Sequence, residues 1–147
     1  KNLKHPIEDV RLADEIEHIK AYLGIQLARF PDRLSVEIDI PAHLLALRVP
    51  VFTLQPLVEN AINHGTAQMI RAGQVSIRAV QEAQHIFLEV EDNAGRYAPE
   101  PGGDGLGMNI VDRRIKSRYG DAFGVTVSCE PDVFTRVRVC IPMEVTG

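Results

Sequence analysis

Two spacings of hydrophobic residues alternate along this chain, and their order is what most limits the folds open to it. Recurrence every three or four positions, typical of a helix with one buried side, occupies three segments: 8–30, 51–64 and 106–118. Alternation of apolar with polar residues, typical of half-buried strands, occupies five segments: 34–40, 74–80, 85–92, Gly124–Glu130 and 133–141. Most of the predicted strands therefore follow one another in pairs.

These pairs predict hairpins, because only four residues separate 74–80 from 85–92 and Pro131-Asp132 marks a turn between the last two strands. Helices on one face of a mixed, mostly antiparallel sheet fit this order better than a parallel sheet does. We predict an α/β two-layer sandwich with an N-terminal helix, and we interpret residues 42–50 as a linker. Pro56 predicts that the second helix begins near it or bends there.

Composition excludes several classes of protein. With 16 Lys and Arg against 20 Asp and Glu, the net charge is −4, and the chain has no Trp, so we expect no nucleic acid as a partner. No apolar run approaches the roughly 18 residues that span a bilayer. Cys129 and Cys140 are too few for a disulfide scaffold or a zinc cluster. Because the first residue is Lys1 rather than Met, we expect the chain to be part of a longer protein.

The second predicted helix carries a group of polar residues on the side away from its apolar stripe. Asn60, Asn63 and His64 are three and four positions apart and so share a face, and Glu59 lies four positions before Asn63. Amide and carboxylate oxygens suit Mg²⁺, which usually keeps several waters and shares phosphate ligands. A solvated helix face with no ligand is the simpler interpretation of the same pattern.

Two further segments combine polar residues with glycine. Asp92, at the end of an alternating strand, begins the tetrapeptide that ends at Gly95, and its carboxylate can accept a hydrogen bond from an exocyclic amine. Residues 102–107 are rich in glycine and open the third helix, where backbone N–H groups can approach an anion. An ordinary turn and a flexible loop with a glycine cap are the alternatives.

In this order the segments resemble the nucleotide-binding motifs of LytS-type sensor histidine kinases. Residues 54–65, LQPLVENAINHG, resemble the N box, and residues 92–95, DNAG, the first glycine box. Residues 103–109, GDGLGMN, are similar to the second glycine box, and residues 114–120 to the segment that follows it. Upstream, residues 15–33 are similar to the segment before the ATP-binding domain in the same family. The resemblance covers roughly residues 12–142.

The resemblance implies roles for residues on the helix and on the strands. Asn60 matches the asparagine that chelates Mg²⁺, and Asn63 and His64 match positions near the phosphates. Asp92 matches the carboxylate that binds the adenine amine, and Gly95 the turn glycine beside it. Glu59 is the candidate for a carboxylate base.

For the phosphates, the resemblance implies a glycine loop made of Gly103, Gly105, Leu106 and Gly107. Of the third glycine box, which usually reads Gly-Thr, only Thr135 matches, because position 134 is Phe134.

Further departures concern the lid and the N box. The first glycine box usually continues to a second glycine, where this chain has Tyr97. The lid, residues 96–102, is short. Many relatives have a glutamate four positions before the N-box asparagine, where this chain has Pro56. These departures favour an alternative function, a degenerate nucleotide-binding or docking module without kinase activity.

The resemblance also implies the fold, the reaction and the partners. The fold would be the Bergerat sandwich, with residues 31–147 as the ATP-binding catalytic domain and residues 1–30 as a helical segment from the end of the dimerisation region. The reaction would transfer the γ-phosphoryl of ATP, with Mg²⁺, to a histidine and then to a response regulator. None of the five histidines has the context of the family's phosphoacceptor, so we expect the acceptor upstream. The full-length protein would be a homodimer in a bacterial inner membrane, with this domain in the cytoplasm.

Overall fold

A computed structural model of the chain describes residues 8–96 and 108–143. Its three helices are α1 (Leu12–Arg29), α2 (Gln55–Asn60) and α3 (Met108–Tyr119). Its strands are β1 (Asp9–Arg11), β2 (Leu34–Asp39), β3 (Arg48–Pro50), β4 (Gly73–Glu82), β5 (His85–Asp92), β6 (Gly124–Glu130) and β7 (Phe134–Pro142). Single turns of tighter or wider helix occupy Ala42–Leu44, Ala61–Gly65 and Thr66–Gln68.

Five of the strands form one mixed sheet in the order β2-β4-β5-β7-β6. β2 runs parallel to β4, and every other neighbouring pair in this sheet is antiparallel. Both predicted hairpins, β4–β5 and β6–β7, are confirmed. The single parallel pair arises because the chain leaves β2, passes through α2 and re-enters the sheet as β4 from the end at which β2 began.

The hydrophobic core lies between the three helices and one face of this sheet. Alternate residues of the central strands point into it and are at most 5% exposed: Ile77, Ile86, Leu88, Val90, Val137, Val139 and Ile141. The opposite face carries ion pairs across three strands, in which Glu89 accepts hydrogen bonds from Arg78 at 3.0 Å and Arg138 at 2.6 Å. The helices therefore cover one face, as the sequence predicts.

The first predicted helix and the predicted linker are both partly wrong. Residues 9–11 are not helical, because they pair antiparallel with β3, which lies inside the stretch interpreted as a linker. α1 begins at Leu12, whose N–H donates to the carbonyl of Leu47 at 2.7 Å. Strands of three residues are too short to show a period of two, so hydrophobic alternation does not reveal them.

The second predicted helix begins later than expected. α2 starts at Gln55, with Pro56 in its first turn, where the missing N–H of proline costs no hydrogen bond. Phe52 has a φ of 63°, which is incompatible with a helix over residues 51–54. Beyond Asn60 the helix widens into a π-helical turn over Ala61–Gly65. Pro56 therefore marks the start of the helix rather than a bend.

Candidate functional site

An open cleft of about 410 Å³ lies between α2 and the ends of β5 and β7. Its lining comes from five parts of the chain: Leu57, Asn60, Ala61, His64, Gly65, Val90, Asp92, Arg96, Met108, Thr135 and Val137. Four of the residues predicted from the sequence, Asn60, His64, Asp92 and Thr135, therefore meet in one cleft.

Much of the cleft is apolar. Leu57 and Val90 are each 1% exposed, and Val137 and Met108 are 5% and 6% exposed. Val90 and Val137 are direct partners in the antiparallel pairing of β5 with β7, so their side chains form a continuous surface. Such a surface suits a flat, weakly polar ring.

Asp92 places a buried carboxylate beside this apolar surface. It ends β5 directly opposite Thr135 on β7, and the two residues are each 6% exposed. Oδ1 of Asp92 accepts hydrogen bonds from the N–H groups of Ala94 at 2.9 Å and Gly95 at 3.4 Å. Burial raises the pKa of Asp92 above its usual value, and these two N–H groups oppose that shift. The arrangement fixes the orientation of the carboxylate before any ligand arrives.

Gly65 belongs to the site for a reason that the sequence did not reveal. A Cβ at this position would lie 3.1 Å from Oδ2 of Asp92, which is closer than most side-chain contacts. The bare backbone therefore leaves room for the carboxylate. In the sequence, Gly65 is the last residue of the stretch that resembles the N box, and nothing local to it signals a contact with β5.

Gly95 supports the site from outside the cleft. Its φ is 63°, and a Cβ there would collide with the carbonyl oxygen of Glu130 and lie 2.5 Å from the backbone nitrogen of Asp132. The N–H of Asp132 also donates to the carbonyl of Gly95 at 3.0 Å. Gly95 thus joins the turn after β5 to the β6–β7 turn.

The turn after β5 is anchored on its other side as well. Asn93 accepts a hydrogen bond from the N–H of Gln74 at 2.8 Å through its side-chain oxygen. The guanidinium of Arg71 donates to the carbonyls of Asn93 at 2.8 Å and Asp132 at 3.2 Å. Because backbone and side-chain contacts converge on this turn, Asp92 is attached to a rigid part of the fold.

Thr135 is the third-box residue that the resemblance identified. Its hydroxyl donates to the sulfur of Cys129 at 3.5 Å, and the residue lines the cleft beside Asp92. The preceding residue, Phe134, lies on the other face of the sheet, where the guanidinium of Arg136 is 5.0 Å from its ring centroid. The side chain of Phe134, which stands where the family's pattern has Gly, therefore points away from the cleft.

The polar residues of the second helix separate into two groups. Asn60 and His64 line the cleft, whereas Asn63 is exposed and does not line it. Glu59 is also outside the lining, and its Oε2 accepts a hydrogen bond from Nε2 of Gln55 at 3.0 Å. The π-helical turn from Ala61 alters the helical spacing on which the shared face was predicted.

The predicted phosphate-side loop, with Gly103, Gly105, Leu106 and Gly107, lies outside the described residues, as does Tyr97. Of the lid, only Arg96 is described, and it lines the cleft. Arg96 and Met108 line the cleft but were not among the ligand-binding residues predicted from the sequence. Within the described ranges, no group of three or more His, Cys, Asp or Glu side chains is arranged to hold a metal ion.

Most of this chain matches the model of a known protein family. The family model for histidine kinase-, DNA gyrase B-, and HSP90-like ATPases matches residues 50–145, which contain the whole cleft. The chain belongs to this ATPase family. Domains of this family bind ATP.

Individual relatives are sensor kinases. Sensor histidine kinase BtsS of Escherichia coli (strain K12) is 56% identical over 142 residues, which are 97% of this chain and 25% of that protein. Sensor protein LytS of Oceanobacillus iheyensis is 33% identical over 135 residues, which are 82% of this chain and 23% of that protein. The chain thus spans about a quarter of the length of these relatives. The predicted resemblance to LytS-type sensor histidine kinases is confirmed.

Solved structures show the same fold. The catalytic domain of histidine kinase ThkA is 16% identical, with a TM-score of 0.66 over 92% of this chain and 95% of that one. Acinetobacter baumannii histidine kinase AdeS is 18% identical, with a TM-score of 0.67 over 94% of this chain and 68% of that one. The predicted sandwich is therefore confirmed. Among residues 8–96 and 108–143, no helix has the length and apolar character needed to cross a membrane.

We expect Gly95→Ala to destabilise the domain by more than about 2 kcal/mol, because a side chain there is strained at positive φ and collides with the backbone of the β6–β7 turn. Urea unfolding measures this loss. Gly24→Ala is the matched control, because Gly24 is in the interior of α1, and an added Cβ would have no atom within 4 Å apart from its chain neighbours and the backbone of its own helix. That change should raise stability by about 0.5–1 kcal/mol. An unaltered midpoint for Gly95→Ala would show that the two turns are not packed as described.

Proposed function

We propose that the cleft binds ATP through its adenine ring, and that the domain donates the γ-phosphoryl group to a histidine outside this chain. The observation that carries the proposal is the buried carboxylate of Asp92, fixed opposite Thr135 at the edge of an apolar surface. Membership of the ATPase family supports the nucleotide, and similarity to sensor histidine kinases supports the acceptor.

Recognition of adenine follows from the geometry of the cleft. The N–H groups of Ala94 and Gly95 donate to Oδ1 of Asp92, while Oδ2 lies on the side of Gly65. We assign Oδ2 as the acceptor of a hydrogen bond from the exocyclic amine of adenine. The ring would lie against the apolar side chains of Val90 and Val137. A guanine would present a carbonyl oxygen to the same carboxylate, so the site favours adenine.

Asn60 is the residue that fits a magnesium ion. It lines the cleft with its side-chain amide on the α2 side, together with His64. Mg²⁺ prefers oxygen ligands and is usually bound by one or two protein groups together with substrate phosphates and waters, so one amide oxygen is a sufficient protein contribution. When bound, the ion would neutralise charge on the phosphates. The roles of Asn63, His64, Gly103, Gly105, Leu106 and Gly107 near the phosphates remain predictions.

Phosphoryl transfer needs mainly positioning and charge stabilisation. The chain would hold adenine at Asp92 and direct the phosphates along α2 towards Asn60, leaving the γ-phosphoryl group open to an imidazole nitrogen of the acceptor. The nitrogen forms the new bond to phosphorus as the bond to the β-phosphate oxygen breaks. Glu59 stays a candidate for a carboxylate base, although its contact with Gln55 lies outside the cleft.

The partners follow from the same proposal. Histidine kinase ThkA has a solved complex with response regulator protein TrrA. We propose that the phosphoryl group passes from the acceptor histidine to an aspartate of such a regulator, and that the whole protein is a homodimer anchored in a bacterial membrane. Residues 31–147 would form the catalytic domain, and the segment before it would connect to the dimerisation region.

We expect Asp92→Asn to weaken adenosine and ATP binding by about 10- to 150-fold, because it removes a charge-assisted hydrogen bond worth about 1.5–3 kcal/mol. Calorimetric titration measures both affinities. Glu91→Gln is the matched control: it changes the neighbouring carboxylate on the opposite face of β5, where Glu91 pairs with Arg136 at 2.9 Å. Equal affinities in Asp92→Asn and wild type would exclude Asp92 as the adenine acceptor and favour a degenerate docking module.

We expect Asn60→Ala to lower ATP affinity in the presence of Mg²⁺ by roughly 10-fold or more, since loss of even an outer-sphere contact to a metal commonly costs that much. Affinity for ATP in the presence of a chelator, and affinity for adenosine, should stay close to wild type. Titrations with ATP and Mg²⁺, with ATP and a chelator, and with adenosine separate the contribution of the metal ion from that of the nucleotide alone. Equal ATP affinities for variant and wild type in Mg²⁺ would show that Asn60 belongs only to a solvated helix face.

A further inference from the structure

Glu15 is a buried carboxylate that the proposed chemistry does not use. It lies on α1, is 3% exposed, and forms no ion pair with a Lys or Arg in the described ranges. Its Oε2 accepts hydrogen bonds from the backbone N–H groups of Leu54 at 2.9 Å and Gln55 at 3.1 Å. Burial raises the pKa of Glu15, and the hydrogen bonds that its carboxylate accepts from backbone N–H groups oppose this shift. A buried side chain that accepts hydrogen bonds from two consecutive backbone N–H groups of another helix indicates a specific role at the start of α2.

α2 has no cap from its own sequence. The residue before it, Leu54, has no polar side chain, although helix starts usually have a Ser, Thr, Asp or Asn whose oxygen accepts a free N–H. Thr53 is one residue further back, but its hydroxyl donates to the carbonyl of Pro50 at 2.5 Å. The cap therefore comes from a residue 39 positions earlier in the chain.

α1 is itself attached to the segment that leads into α2. The N–H groups of Leu12 and Ala13 donate to the carbonyls of Leu47 at 2.7 Å and Leu45 at 2.9 Å, and β1 pairs with β3 directly before this helix. Val51 accepts a hydrogen bond from Arg114 of α3 at 2.9 Å through its carbonyl. The first turn of α1 is thus connected to the start of α2 through these backbone hydrogen bonds and through the side chain of Glu15.

The start of α2 is close to the cleft. Gln55 and Asn60 are five positions apart, which is about 7.5 Å along a helix. Leu57 and Asn60 both line the cleft, so a movement of the first turn of α2 moves these two side chains with it.

We propose that Glu15 is a positioning residue: by capping α2 it sets the position of Asn60 in the cleft and couples the position of α1 to the phosphate end of the site. A shift of α1 withdraws the carboxylate from Leu54 and Gln55 and leaves one buried and one partly buried N–H group without their acceptor. The effect on ATP rests on the proposed function, whereas the effect on the amides of α2 does not.

The test compares Glu15→Met, which keeps the side-chain volume but has no oxygen, with Glu15→Gln, which keeps an acceptor without the charge. The matched control is Glu17→Met on the same helix, because the side chain of Glu17 is 73% exposed. Hydrogen exchange at Leu54 and Gln55 is measured in each, together with calorimetric affinities for adenosine and for ATP with Mg²⁺.

In Glu15→Met we expect faster exchange at both amides and a loss of about 3- to 10-fold in affinity for ATP with Mg²⁺, in line with the usual cost of losing a cap. Adenosine affinity should change by less than about twofold, because Asp92 is held by β5 and its own turn. Glu15→Gln and Glu17→Met should stay close to wild type on all three measurements. If Glu15→Met does not fold, Glu15→Asp, whose carboxylate is one methylene shorter, should show the same pattern.

Unchanged exchange at Leu54 and Gln55 in the folded variant would overturn the capping role. Equal losses for adenosine and ATP would overturn the positioning role, because they indicate general loosening of the domain. If the wild-type chain binds neither ligand, the proposed function fails, and the exchange measurement still decides whether Glu15 caps α2.

Discussion

The antiparallel register of β5 on β7 is the constraint on which the cleft depends. Pairing Val90 with Val137 and Asp92 with Thr135 puts an apolar surface and a polar edge on the same face of the sheet, two residues apart along each strand. A slip of one residue would turn Asp92 to the opposite face and bring Glu91 into the core. The ion pairs that Glu91 and Glu89 make on the outer face therefore help to fix the register of the binding face.

The two sides of the cleft are held by different means. On the sheet side, Asp92 is oriented by N–H groups two and three residues away, and its turn is anchored by Gly95 and Arg71. On the helix side, Asn60 belongs to a short helix whose start depends on Glu15, a residue of another helix. The sheet side is consequently self-contained, and the helix side depends on the position of α1. In the proposed function, this division separates recognition of adenine from placement of the phosphates.

The sequence predicted the longer strands and the position of Asp92 at the end of one of them, because both depend on local patterns. Alternation over 85–92 identifies which side chains share a face, and it ends at the carboxylate that lines the cleft. The roles of Gly65 and Glu15 were not predictable in this way, because each acts through a contact with a distant part of the chain. β1 and β3 were missed for a related reason, since each has only three residues and is defined by its partner. Pro56 allowed two interpretations, and the left-handed conformation of Phe52 before it decided between them.

The most direct test of the central claim is to follow the backbone amides of the wild-type domain by NMR while ADP is added. If the adenine ring lies against Val90 and Val137 with its amine on Asp92, the largest saturable shifts should occur at Ala94, Gly95 and Thr135. The amide signals of the edge strand β2, such as that of Glu37, should not shift. Saturable shifts confined to residues outside the cleft, or none at ADP concentrations that saturate related domains, would contradict the account.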